Sequence, residues 1–119
     1  MIFDSLEDGL LFVKQFCHEH SLDESTAYKL NLITEELITN LLKHSDAISY
    51  ELILIKKEHR IYLNINYASQ FFDMNIQKPR SSNVQNIEYG GLGLFLIQEM
   101  ALEFHHKYQK GRNIFEVIL

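Results

Sequence analysis

The chain has 119 residues, 46% of them apolar, and a formal net charge of -5 at neutral pH. That length suits a single domain over residues 1–119, burying roughly 65% of the surface its unfolded chain exposes, with no room for a second core. The acidic balance, with no stretch that concentrates Lys and Arg, speaks against nucleic-acid binding and leaves proteins or a small ligand as partners.

The segment Met1 to Asp8 is acidic where a signal peptide is basic, and apolar runs such as Leu52 to Ile55 are far too short to span a membrane. A cytoplasmic protein with no membrane partner is therefore expected. The pattern predicts a first helix from Leu6 to His18 and a short linker from His20 to Asp23. Cys17 is the single cysteine, which excludes an internal disulfide and suits a small apolar packing role. Cys17, His18, His20, His105 and His106 invite a metal hypothesis, but it fails on geometry. Adjacent His105 and His106 point to opposite faces of a strand, and the Cys17, His18, His20 spacing matches no usual zinc site.

A second, long helix is predicted from about Glu24 to His44, and it carries the most informative stretch of the chain. At roughly 100° per residue, Glu35, Glu36, Thr39, Asn40, Lys43 and His44 share one arc, while Leu30, Ile33, Leu37, Ile38, Leu41 and Leu42 share the other. Glu36 and Asn40 thus stand one turn apart, a carboxylate and an amide suited to an attacking hydroxyl and a magnesium-bound phosphate. A solvated polar face has the same appearance, and Lys43 and His44 equally suit the negative end of the helix dipole.

Two alternating runs, Ile48 to Ile55 and Ile61 to Asn66, read as strands joined by a turn from Lys56 to Arg60. From Asn75 to Glu88 the chain becomes polar, with Pro79, two serines and three asparagines, and regular structure is expected to stop. Lys78 and Arg80 in this loop suit either a terminal phosphate or plain solvation. Gly90, Gly91, Leu92, Gly93 and Leu94 then lead into an apolar helix, predicted from about Leu94 to Glu103. Glycines let backbone approach an anion, and a helix start carries unpaired N–H donors. The stretch has neither the lysine of a Walker loop nor Rossmann spacing, and a flexible loop before an ordinary helix reads the same way. Strands near His105 to Gln109 and Asn113 to Leu119 close the chain. The expected class is α+β: a two-layer sandwich with a mostly antiparallel sheet covered on one face by helices.

Taken in this order, the stretches from Glu36 to His44 and from Gly91 to Ile97 resemble the N-box and final glycine box of the GHKL (Bergerat-fold) ATPases. Within that family the chain is similar to the small bacterial anti-sigma-factor serine kinases of the RsbW and SpoIIAB type, and Gly111-Arg112-Asn113 is similar to their last hairpin. The resemblance covers most of the chain. It implies an ATP site in which Asn40 coordinates Mg2+, Glu36 accepts the proton of a substrate serine, and Gly91 and Gly93 cradle phosphate. It also implies partner switching between a sigma factor and a STAS-type anti-sigma-factor antagonist, with a homodimer as a further option.

The middle motif departs from the family. Its Asp-x-Gly, which holds the adenine amino group, is replaced: aligned on Phe72-Asp73, Tyr67 stands for the aspartate and Ser69 for the glycine. A hydrogen bond to a charged acceptor is worth about 1.5–3 kcal/mol, so the loss corresponds to roughly 10- to 100-fold in adenine affinity. Tyr67 reads as a strand-end aromatic capping the core. The resemblance thus supports two functions: a serine kinase, and a non-catalytic module with weak or no ATP binding that regulates a partner by binding alone. A histidine-kinase ATP-binding domain is a third, disfavoured because no dimerisation helix with a phosphoacceptor histidine precedes it in this chain.

Overall fold

A computed structural model of the chain describes residues 1–71 and 91–119. Its elements in chain order are β1 (Ile2–Phe3), α1 (Leu6–Glu19), α2 (Glu24–His44), β2 (Tyr50–Lys57), β3 (Arg60–Ala68), α3 (Gly91–Met100), β4 (Glu103–Gln109) and β5 (Arg112–Ile118). The strands form one antiparallel sheet in the order β1-β2-β3-β5-β4. This is the expected α+β sandwich, with the helices layered on one face of the sheet.

Local chemistry explains the helix limits. Ser5 caps α1 by accepting the Asp8 N–H at 3.2 Å, and Asp23 caps α2 by accepting the Thr26 N–H at 2.7 Å. The Thr26 bonds hold the Asp23 carboxyl below its usual range. The chain leaves α1 through Ser21, whose left-handed φ of 50° reverses its direction, and Leu22 donates back to the Cys17 carbonyl at 3.0 Å. At the far end of α2, Lys43 and His44 meet the negative end of the dipole, and the Ser45 hydroxyl donates to the Leu41 carbonyl at 2.6 Å.

The core lies between the layers. Leu30, Ile33, Leu37, Ile38 and Leu41 of α2 pack with Leu52, Leu63, Ile65 and Val117 of the sheet and with Ile97 of α3. The opposite face of the sheet carries a polar ladder instead. There Arg112 donates from Nε and Nη2 to Asn66 Oδ1, and Asn66 Nδ2 donates to Asn64 Oδ1 and Glu51 Oε1.

Several limits differ from those expected. The first hairpin turns on Glu58 and His59 alone, since Lys57 already pairs with Arg60 and Glu58 takes a φ of 59°. Helix α3 starts earlier, at Gly91, and stops at Met100, because Glu103 pairs with Ile118 at the start of β4. Ile48 lies outside β2 and is exposed, and Leu42 sits at the rim of the apolar face of α2, 36% exposed. Strand β1 was not expected. It forms because Ile2 and Phe3 pair with Glu51 and Tyr50, and Met1 and Leu52 exchange backbone bonds, in a run too short for alternation to show.

Gly9, inside α1, marks the closest approach between α1 and the sheet. A Cβ there would collide with the Tyr50 hydroxyl and lie 2.8 Å from Ile38 Cδ1. Tyr50 donates to the Ser5 carbonyl at 2.6 Å, and burial, then the carboxylates of Asp8, Asp4 and Glu7, push its phenol up to about 12. Helix propensity alone favours alanine over glycine by about 1 kcal/mol. Overpacking outweighs that here, so Gly9→Ala is predicted to destabilise the domain by about 1–3 kcal/mol in denaturant unfolding.

Candidate functional site

Helix α2 places Glu36 against α3, with Asn40 one turn further along the helix. Glu36 is half-buried and Asn40 is 6% exposed. Burial raises the Glu36 carboxyl above its usual range, the neighbouring Glu35 adds to this, and Lys43 opposes it. The carboxyl is therefore a stronger base than a solvated glutamate. The Asn40 side-chain Nδ2 is buried and has no hydrogen-bond partner among the described residues. An orphaned buried amide costs about 1–3 kcal/mol, and buried polar atoms are ordinarily paired.

The glycine stretch meets this helix directly. A Cβ built on Gly93 would collide with the Glu36 carboxylate and lie 2.8 Å from its Cδ. The two segments singled out in the sequence are thus in contact, with the carboxylate of one lying over the backbone of the other. Leu94 is buried beside them in the core at 4% exposure, and Gly91 and Leu92 form the first turn of α3. Gly90 lies outside the described residues, as do Phe72, Asp73, Lys78, Arg80 and the polar stretch from Asn75 to Glu88.

Tyr67 belongs to the core. It is 2% exposed, burial drives its phenol well above the usual range, and its ring stacks on Phe115 with centroids 6.2 Å apart. Its cross-strand partner is Asn113, fully buried on β5. Asn113 Nδ2 donates to the Ser69 hydroxyl at 2.8 Å and to the Gln70 carbonyl at 2.7 Å, while His106 Nε2 meets its Oδ1 at 2.9 Å. The Ser69 hydroxyl donates onward to the Gln70 carbonyl at 2.9 Å. Tyr108 donates to the Ser69 carbonyl, and the Phe71 ring stacks on His106 and meets Tyr108 edge-on.

A cavity of about 480 Å³ opens between the end of α2 and the exit of β3. Lys43, His44, Ser45 and Asp46 line one side, and Ser69, Gln70 and Phe71 line the other. Lys43, His44 and Ser69 therefore share one cavity, while Glu36, Asn40 and Gly93 gather further back along α2. Asn113, His106, Gln70 and Phe71 were not read as site residues. Gly111-Arg112-Asn113 was legible only as a hairpin, because the role of Asn113 depends on bonds to residues 43 and 44 positions away. Among the described residues no group of His, Cys, Asp and Glu is arranged to hold a metal ion, and no helix is long and apolar enough to cross a membrane.

For a magnesium-bound triphosphate, the residues at the α2–α3 contact fit. The Asn40 Nδ2, without a partner among the described residues, can donate to a phosphate oxygen, and the start of α3 adds backbone donors. Tyr67, which the resemblance sets at the adenine position, supplies no carboxylate there.

Two predictions follow from this geometry. Asn40→Leu removes the orphaned amide, so the ligand-free melting temperature is expected to hold or rise while any stabilisation by magnesium-ATP disappears. Gly93→Ala displaces the flexible end of Glu36 more readily than backbone, so its stability cost is expected to stay below about 1 kcal/mol, and its effect on nucleotide binding to vanish in a Glu36→Ala background, read as a double-mutant cycle.

A comparison with curated protein sequences finds no match. The family model of the histidine kinase-like ATPase domain matches residues 4–119, nearly the whole chain, including both segments that meet at Gly93. The chain belongs to the histidine kinase-like ATPase domain family.

Proposed function

We propose that this domain is a regulatory serine kinase of the anti-sigma-factor type, which binds a sigma factor and phosphorylates a serine on a STAS-type antagonist. The observation that carries the reading is the contact of Gly93 with the Glu36 carboxylate, one turn from the unpaired amide of Asn40. Bound magnesium-ATP supplies the phosphoryl group and neutralises its charge. Glu36 accepts the proton of the partner's serine hydroxyl, a role suited to a half-buried carboxylate of raised basicity. Asn40 would hold the metal through its side-chain oxygen and donate to phosphate through Nδ2, and the backbone at Gly91 and Gly93 would cradle phosphate. Lys43 and His44, beside the cavity at the end of α2, attract the anionic ligand.

A specific observation favours a second reading, a binding module without catalysis. Tyr67 is an integral core residue in place of the adenine carboxylate, which weakens nucleotide binding while leaving the fold intact. Partner control by binding alone then needs neither Glu36 nor Asn40. In both readings the protein works in the cytoplasm.

Transfer of labelled phosphate from ATP to a STAS-type antagonist separates the two. The kinase reading predicts that Glu36→Gln lowers transfer by roughly 10²- to 10⁴-fold, the range of general-base catalysis. It also fixes the sign of the pH dependence. The base works deprotonated and its carboxyl titrates above the ordinary glutamate range, so transfer falls on acidification at a higher pH than a solvated glutamate would give. Transfer that is undetectable in the parent protein, with unaltered partner binding in Glu36→Gln, selects the binding module.

A further inference from the structure

An antiparallel sheet with one face open to water ordinarily alternates apolar residues inward with polar residues outward. Strand β3 largely keeps that rule, with Arg60, Asn64 and Asn66 on the face away from the helices. Strand β2 breaks it. Its run Leu52-Ile53-Leu54-Ile55 is apolar on both faces, the pattern of a strand covered on both sides. Leu52 is buried in the core, whereas Ile53 and Ile55 point to the open face and are 37% and 53% exposed. The register gathers further apolar groups beside them, since Ile55 stands opposite Tyr62 and Tyr62 stands opposite Ile118. Tyr62 is 37% exposed, and Ile118 is half-buried. Further towards the hairpin, Lys57 stands opposite Arg60 on the same face, and both are exposed. In the other direction the face turns polar at Asn64 and Glu116, where the Glu116 carboxylate is paired with Lys107 at 3.1 Å.

We propose that this face is a docking surface for an amphipathic helix of a protein partner, one with an apolar seam and carboxylates in the turn beyond it. The neighbouring strands β2, β3 and β5 together span about 10 Å, the width of one helix. A helix laid along them covers Ile53, Ile55, Tyr62 and Ile118 with residues spaced i, i+3, i+4 and i+7. Two residues of strand rise about 6.8 Å and one helical turn about 5.4 Å, so a carboxylate one turn past the seam reaches the level of Lys57 and Arg60. The cations border one end of the apolar patch, and Asn64 and Glu116 border the other, so charge also sets which way the partner lies. The surface lies across the sheet from the helix layer that carries Glu36, Asn40 and Gly93, and it stands independently of the nucleotide reading.

The test is fluorescence anisotropy of two labelled synthetic helices titrated with the whole chain. Both carry leucines at i, i+3, i+4 and i+7; one has glutamates in the following turn and the other has lysines. The glutamate helix is expected to bind at least about tenfold more tightly than the lysine helix, with the gap narrowing as salt is raised. Ile55→Asp is expected to lower affinity for the glutamate helix by about tenfold or more, through loss of an apolar contact. Reversing the border in the Lys57→Glu, Arg60→Glu double variant is expected to invert the preference between the two helices. All three positions are exposed, so thermal unfolding checks that the fold is kept, and Ile55→Ser takes the place of Ile55→Asp should the latter not fold. Absence of binding by either helix up to millimolar concentration overturns the proposal, as does equal binding of the two. Binding that Ile55→Asp leaves unchanged overturns it by placing the contact elsewhere. Sedimentation of the parent protein as a dimer that Ile55→Asp dissociates assigns the face to a second copy of the chain, and overturns it too. Each of these outcomes leaves the nucleotide reading standing, since titration with magnesium-ATP does not depend on Ile55, Lys57 or Arg60.

Discussion

Leu30, Ile33, Leu37 and Leu41 descend one side of α2 and are buried against the sheet, which fixes the rotation of that helix about its axis. Each such side chain contributes about 1.5–3 kcal/mol on burial, so a helix turned by even one residue would lose more than the site could return. With the rotation fixed, Glu36 and Asn40 have no choice of direction. Glu36 meets α3, where Gly93 has no side chain and the carboxylate rests on its backbone, and Asn40 follows one turn along. The chemistry of the site is therefore a consequence of how an apolar seam packs on the other side of the same helix.

The two ends of the site differ in what they leave open. The helix end holds a buried amide without a partner among the described residues, a raised carboxyl and a glycine-lined helix start. The sheet end is closed on itself through Tyr67, Asn113, Ser69 and His106, a cluster that joins β3, β4 and β5 and anchors the chain as it leaves β3. Stability at the sheet end and ligand capacity at the helix end are thus separated in space. Buried polar groups are ordinarily paired, so a donor such as Asn40 Nδ2 is a ready partner for a ligand.

Much of this was legible in the sequence. Both limits of α2 match the expected ones, and the structure gives the cause: Asp23 caps one end, while Lys43 and His44 complement the dipole at the other. Strands β2 and β3 were readable from alternation, and the family from the resemblance of the stretches Glu36 to His44 and Gly91 to Ile97 to its motifs. The start of α3 was not. Glycine is a poor helix former, so the glycines read as loop, yet Gly93 lies inside the helix, where the Glu36 carboxylate occupies the space a Cβ would take. Strand β1 is too short to show a period, and Asn113 acquires its role only through the register that places it opposite Tyr67. Local pattern carries elements, while a contact spanning tens of residues depends on the assembled sheet.

The proposed function has a phosphate-bearing ligand accept from the Asn40 amide, which has no partner among the described residues. A ¹H–¹⁵N correlation spectrum of the labelled domain, recorded with and without magnesium-ATP, tests it most directly. The account predicts that the Asn40 side-chain amide pair and the backbone amides of Gly91 and Gly93 move, while the side-chain amide of Asn113 stays in place. Movement at Asn113 with Asn40 unchanged, or an unaltered spectrum at millimolar nucleotide, would contradict it.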